Sequence, residues 1–180
     1  MDEFICPNCR DEGFSFTCAV SVVRSQTVIR DLVHRLKYSR ELWLSRVLGQ
    51  ILHVGLSDPR FEGIEFDAIV PVPLHSKRER ERDYNQSALL AQHLSAASGI
   101  PLREVLLRQR YTETQTRLNR KLRRQNLRNA FLIRKNVDVT DQSLLLIDDV
   151  LTTGATLDAC AAVLIEHGAA SVHSLTLARG

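Results

Sequence analysis

The apolar positions of the chain first recur at helical spacing. Val28, Ile29, Leu32, Val33 and Leu36 fall three and four apart. Leu42, Leu44, Val47, Leu48, Ile51 and Leu52 continue the pattern, so two amphipathic helices are predicted, the second over 42–56, with Trp43 read as helix packing. The stretch SDPRFEG reads as a loop from its proline and glycine. The pattern then shortens. Ala68 to Val72 is a brief apolar run that reads as a buried strand, and Pro71 and Pro73 must end it because proline cannot donate to a central ladder. A charged stretch, HSKRERERDYNQ, reads as a loop. A helix is predicted from Gln86 to Ala97, closed by Gly99 and Pro101. Residues 102–107 read as a short strand. Residues 109–129 are almost wholly polar and basic, which predicts a long loop or an exposed, partly helical excursion. The clearest segment is the last. Ser143 to Ile147 reads as a buried strand, Asp148 to Thr153 as a loop, Thr156 to His167 as a helix with Gly168 in the C′ position, and Ser171 to Ala178 as a strand. Strand, helix, strand implies a parallel sheet with a right-handed crossover, hence an α/β fold. Ligands in such sheets bind outside the carboxyl ends of the strands, where Asp148 to Thr156 falls.

Length and composition narrow the class. At 180 residues the chain suits one domain with a small appendage, and 44% hydrophobic content is enough for one core. No apolar run approaches the ~20 residues of a membrane helix, so no membrane insertion is expected. The start, MDEFICPNCR, lacks the pattern of a secretory signal, which makes a cytoplasmic protein the expectation. Disulfides are then not expected between Cys6, Cys9, Cys18 and Cys160. Cys160 sits in an apolar helical run and reads as core. Cys6-Pro-Asn-Cys9 has zinc-knuckle spacing, but a structural zinc site wants four ligands, and only Cys18 and His34 lie near enough in sequence to complete it. The six histidines show no ligand spacing. Net charge is only +3, yet residues 103–128 carry nine Lys and Arg against Glu104 and Glu113, so that segment is +7 and the remainder −4. Such asymmetry points to a local polyanion site.

The chemistry concentrates in LLLIDDVLTTGAT, Leu144 to Thr156. Two adjacent carboxylates stand at the tip of a buried strand, and a small hydroxyl-rich turn then opens a helix. Backbone N–H groups and the dipole at a helix start hold anions. Gly154 permits close approach of the backbone, and Thr152, Thr153 and Thr156 add hydroxyl donors. Asp148 and Asp149 would then lie about one ribose away from a bound phosphate, able to accept from two sugar hydroxyls. The plainer reading is that the aspartates cap a turn and Thr-Thr-Gly caps a helix. The strand–turn–helix context favours a phosphorylated sugar. No GxxxxGKS, GxxxxGKT or strand-following GxGxxG sequence competes.

This segment resembles the 5-phosphoribosyl-1-pyrophosphate (PRPP) motif of type I phosphoribosyltransferases. LVHRLKY (32–38), DAIVPVPLHSKRERERDYNQSALLAQHL (67–94), RYTETQTRLNRKLRRQNLRNAF (110–131) and the closing LAR are similar to the ComF family, over nearly all of the chain after residue 17. The resemblance implies a type I phosphoribosyltransferase fold over 18–180, a mainly parallel sheet flanked by helices, preceded by a shortened zinc-ribbon-like segment over 1–17 bearing Cys6 and Cys9. It implies that Asp148 and Asp149 hold the ribose and that Thr152, Thr153, Gly154, Ala155 and Thr156 hold the 5-phosphate. Pro73, Leu74, Lys77 and Arg78 would face the pyrophosphate and its magnesium. Gln115, Arg120, Arg123 and Arg124 would belong to a mobile basic loop closing over PRPP. Asp83 departs from the family, whose glycine is expected there. The implied activity is transfer of phosphoribosyl from Mg-PRPP to an unidentified nitrogen acceptor, with a homodimer a further implication. A rival reading is a competence protein that binds PRPP and single-stranded DNA with weak or no catalysis. The basic segment supports that rival through phosphate neutralisation, although it brings no aromatic platform beyond Tyr111 and Phe131.

Overall fold

The computed structural model describes residues 13–110, 127 and 129–180. Its centre is a parallel sheet of four strands, β1 (Cys18–Arg24), β2 (Ala68–Pro71), β5 (Ser143–Leu151) and β6 (Ser171–Arg179), in the order β1-β6-β5-β2. Residues 101–103 extend the β2 edge through Ile69 N–H to the Pro101 carbonyl at 2.8 Å and Arg103 N–H to the Ile69 carbonyl at 2.9 Å. Among the described residues the helices that surround it are α1 (Thr27–Tyr38), α2 (Leu44–Val54), α3 (Ser76–Arg82), α4 (Gln86–Ser98) and α5 (Ala155–Glu166). A separate antiparallel pair joins β3 (Leu106–Arg108) to β4 (Phe131–Ile133).

Strand alternation divides the interior in two. Leu144 and Leu146 of β5 face one layer with Leu157, Cys160, Ala161 and Leu164 of α5 and Phe131 of β4. Leu145 and Ile147 face the other, with Leu36, Leu48, Leu52, Leu90 and Leu94 from α1, α2 and α4. A strand covered on both faces must be apolar at every position, which is why SLLLI reads as an unbroken run.

The βαβ unit, the buried Cys160 and the sheet class stand as the sequence implied. Four readings change. The strand holding the carboxylates runs on through Leu151, because β6 offers backbone partners as far as Leu151↔Arg179. The charged stretch after Pro73 forms α3, with alternating charges all on a solvated surface. The strand expected over 102–107 splits between a single bridge at Leu102 and β3 in the other sheet. Trp43 is 61% exposed and does not pack as a core residue. The sequence pattern also gave no sign of β1 and β4. No helix among the described residues is long and apolar enough to cross a membrane.

α2 and α4 approach closely at Gly49, where a Cβ would stand 2.6 Å from the Cβ of His93. That neighbour is rooted to its own backbone, so the helices would have to separate. Gly49→Ala is therefore expected to cost about 1–3 kcal/mol by overpacking, which thermal denaturation would register as a Tm several degrees lower. An unchanged or higher Tm would show that the helices are not in contact there.

Candidate functional site

The carboxylate pair ends the buried part of β5, and its two members are held differently. Asp149 is nearly buried, and its Oδ2 lies 2.5 Å from Lys37 Nζ on α1. Asp148 is partly exposed, and its Oδ1 accepts from Ser87 Oγ at 2.8 Å and from the Asp149 N–H at 2.9 Å. Ser87 is placed by the start of α4. Asn85 caps that helix by accepting from the Ser87 N–H at 3.0 Å, while its Nδ2 donates to the Val72 carbonyl at 3.0 Å. One side chain thereby ties α4 to the end of β2 and sets the serine under Asp148. Desolvation, with repulsion from Asp149 second, pushes the Asp148 carboxyl up to about 6, and Lys37 and Ser87 offset part of this.

The turn after β5 leads into α5. Gly154 adopts φ +80, and a Cβ there would lie 3.2 Å from the ring of Phe14. Phe14 and Phe16 stack with centroids 4.6 Å apart, and the Ser15 N–H donates to Asp158 Oδ1 at 2.8 Å. The close approach that glycine permits is thus made by the chain's own residues 14–16 on that side. Thr153 Oγ1 accepts from the Ala155 N–H at 3.4 Å. Beyond Ala155, the first N–H groups of this twelve-residue helix have no partner within the helix, as at every helix start.

A cleft of about 510 Å³ opens over this end of the sheet. Asp148, Asp149, Thr152 and Thr156 line it, with Pro73, Leu74 and Arg78 from the stretch after β2. Thr153, Gly154 and Ala155 form the turn behind that lining. Lys77 is exposed on the first turn of α3, its backbone N–H donating to His75 Nδ1 at 3.1 Å, and it does not line the cleft. Gln115, Arg120, Arg123, Arg124, Cys6 and Cys9 lie outside the described residues. Cys18 and His34, considered as zinc partners for them, sit on β1 and on α1, where His34 packs against Tyr38.

Several cleft residues carried no sequence signal of their own. Arg30 and Lys37 come from α1, Arg82 from α3 and Arg108 from β3. Arg82 is preorganised: its guanidinium lies 4.9 Å from the Tyr38 ring centroid and donates to Gln86 Oε1 at 2.9 Å. Burial draws the Arg108 guanidinium below its ordinary pKa, and it stands 5.3 Å from the Phe131 ring centroid. The cleft is thus cationic around two acids, a surface suited to a polyanion that also carries hydroxyl groups.

Residues 85–180 match the phosphoribosyl transferase domain family. The chain is 35% identical over 179 residues to Competence protein F of Haemophilus influenzae, covering 97% of this chain and 78% of that one. It is 35% identical over 177 residues to DNA utilization protein YhgH of Escherichia coli, covering 97% and 77%. The chain belongs to the ComF family of phosphoribosyltransferase-domain proteins. Among solved structures it is similar to the glutamine PRPP amidotransferase from B. subtilis complexed with ADP and GMP. That likeness has 25% identity and a TM-score of 0.47, and covers 72% of this chain and 25% of the other.

The departure at Asp83 from the expected ComF glycine now has a physical reading. Its backbone is left-handed, φ +67, at the end of α3. Glycine enters that region freely, and aspartate is among the few other residues that visit it. The Asp83 carboxylate is exposed and pairs with Arg40 at 2.6 Å, and it does not line the cleft. The next residue, Tyr84, donates its hydroxyl to the Leu36 carbonyl and so locks α1 over the site.

The raised Asp148 pKa gives a stability test. The folded state holds this proton more tightly than the unfolded chain, so Asp148 costs stability as pH rises from about 4 through about 6, and the full cost is present at neutral pH. Asparagine keeps the acceptor for Ser87 and for the Asp149 N–H. Asp148→Asn is therefore expected to raise apo stability at pH 7.5 by on the order of 1 kcal/mol, the gain shrinking to nothing near pH 4. Paired thermal melts across pH would show it. A variant less stable than wild type at every pH would mean the carboxylate carries no such cost.

Proposed function

We propose that this chain is a phosphoribosyltransferase-type protein that binds Mg-PRPP in the cleft over β5. The observation that carries the reading is the Asp148–Asp149 pair beside the start of α5, inside a wall of arginine and lysine. The N–H groups at the helix start, with the hydroxyls of Thr152 and Thr156, suit a phosphomonoester. The carboxylates suit vicinal ribose hydroxyls. Arg78, Arg82 and Arg108 suit the pyrophosphate, on which negative charge builds as it departs. Arginine donates through a planar fork that matches phosphate oxygens.

The oxygen donors of Asp148 and Asp149 also fit a hard divalent cation, which takes one or two carboxylates together with substrate phosphates. When bound, magnesium would neutralise charge on the diphosphate. The reaction is a substitution at ribose C1. A nitrogen lone pair of the acceptor forms the new bond to C1. The bond from C1 to the diphosphate oxygen breaks, and pyrophosphate leaves with that electron pair. Lys37 has a second use here. It pairs with Asp149 and lines the cleft, where it can meet an incoming anion.

A second reading, action on DNA during uptake or use, is supported by the names of the relatives, a competence protein and a DNA utilization protein. Calorimetric titration of Mg-PRPP separates the two. Binding to wild type that is lost at least tenfold in Asp148→Asn/Asp149→Asn is the expected result. Absence of binding to wild type would sink the PRPP reading and leave DNA handling as the leading account.

A further inference from the structure

The turn that opens α5 is weakly determined by its own residues. Gly154 stands at the N-cap in the left-handed region, φ +80, and offers no side-chain cap. Glycine has more backbone states open to it than any other residue, so a turn built on it keeps one of them only when outside contacts select it. Within the turn, the Thr153 hydroxyl meets the Ala155 N–H at only 3.4 Å. The 2.8 Å bond from the Asp158 N–H to the Gly154 carbonyl belongs to the helix and does not fix what precedes it.

The outside contacts come from residues 14–16, more than 130 positions away in sequence. Phe14 and Phe16 are half-buried and stack with centroids 4.6 Å apart and ring planes 17° from parallel. A Cβ on Gly154 would lie 3.2 Å from the Phe14 ring and 3.7 Å from the Phe16 ring, so both rings rest against the glycine itself. Between them, the Ser15 N–H donates to Asp158 Oδ1 at 2.8 Å, in the first turn of α5. This stretch is anchored in its turn. The Thr17 N–H donates to the Val172 carbonyl at 2.8 Å, beside the β1–β6 ladder, and Phe16 packs on the core layer that holds Ala155, Leu157 and Cys160. Residues 14–16 do not line the cleft, so whatever they do for a ligand they do through Gly154 and the start of α5.

We infer that Phe14 to Phe16 form a strap that sets the backbone of the phosphate turn, with Phe14 a positioning residue for the 5-phosphate. The inference rests on the reading of the cleft as the PRPP site. Backbone donors serve a phosphate only when held within about 0.5 Å of their working geometry, and a glycine freed of its neighbouring ring no longer holds them so. The effect is confined to one end of the ligand. The diphosphate end is served by other elements, Arg78 and Arg82 on α3 and Arg108 on β3.

Ribose 5-phosphate and magnesium pyrophosphate probe the two ends separately in calorimetric titrations. Phe14→Ala is expected to weaken ribose 5-phosphate about tenfold and to leave magnesium pyrophosphate within about twofold. Phe14→Leu refills most of the space with an apolar side chain and should recover most of that loss. Gly49→Ala, which disturbs the α2–α4 contact instead, should leave both affinities unchanged and so separates positioning from a general loss of stability. In a Gly154→Ala background the Phe14→Ala change should cost much less than tenfold, because the new methyl and the ring compete for one space. Equal losses on both probes, ribose 5-phosphate binding indifferent to Phe14→Ala, or strict additivity with Gly154→Ala would each overturn the strap while leaving the PRPP reading in place. Wild type that bound neither probe would overturn both.

Discussion

Two carboxylates on successive residues at the end of a buried strand repel each other and lose solvent together. That arrangement persists only if the surroundings compensate it. Here the compensation comes from two different helices, Lys37 of α1 against Asp149 and Ser87 of α4 against Asp148. Each of those helices is tied back in turn. Asn85 fastens the start of α4 to the end of β2, and Tyr84 reaches the Leu36 carbonyl of α1.

The compensation is incomplete, since burial and the neighbouring Asp149 still hold the Asp148 carboxyl up at about 6. A ligand with hydroxyl groups for the carboxylates and phosphates for Arg30, Arg78, Arg82 and Arg108 would complete it from both sides. Groups at functional sites are commonly kept in such unrelieved states, with the rest of the fold holding them in place. The contacts of Tyr38 with His34 and Arg82 serve the same end, because they hold an arginine in the wall before any anion arrives.

Much of this was legible in the sequence, and what was not has a common cause. The buried run SLLLI, the two aspartates and the helix ending at Gly168 are local patterns, and they marked the strand, the turn and the helix. The extension of β5 through Leu151 was hidden because charged residues read as loop, whereas pairing with β6 decides the matter. β1 was hidden for a similar reason: its partner lies some 155 residues away, as in the Ser21–Thr176 hydroxyl contact at 2.7 Å. Lys37, Arg82 and Arg108 had no role assigned from the sequence, since three separate elements bring them to the cleft. Gly154 was recognised for a close backbone approach, but the sequence did not show that Phe14 packs against it on one side.

The most direct measurement is a crystal structure of the protein with Mg-PRPP. The 5-phosphate is expected on the N–H groups at the start of α5 with Thr152 and Thr156, the ribose hydroxyls on Asp148 and Asp149, the diphosphate toward Arg78 and Arg82, and Lys37 loosened from Asp149. PRPP seated elsewhere, or in this cleft with its ribose away from both carboxylates, would contradict the assignment of the site.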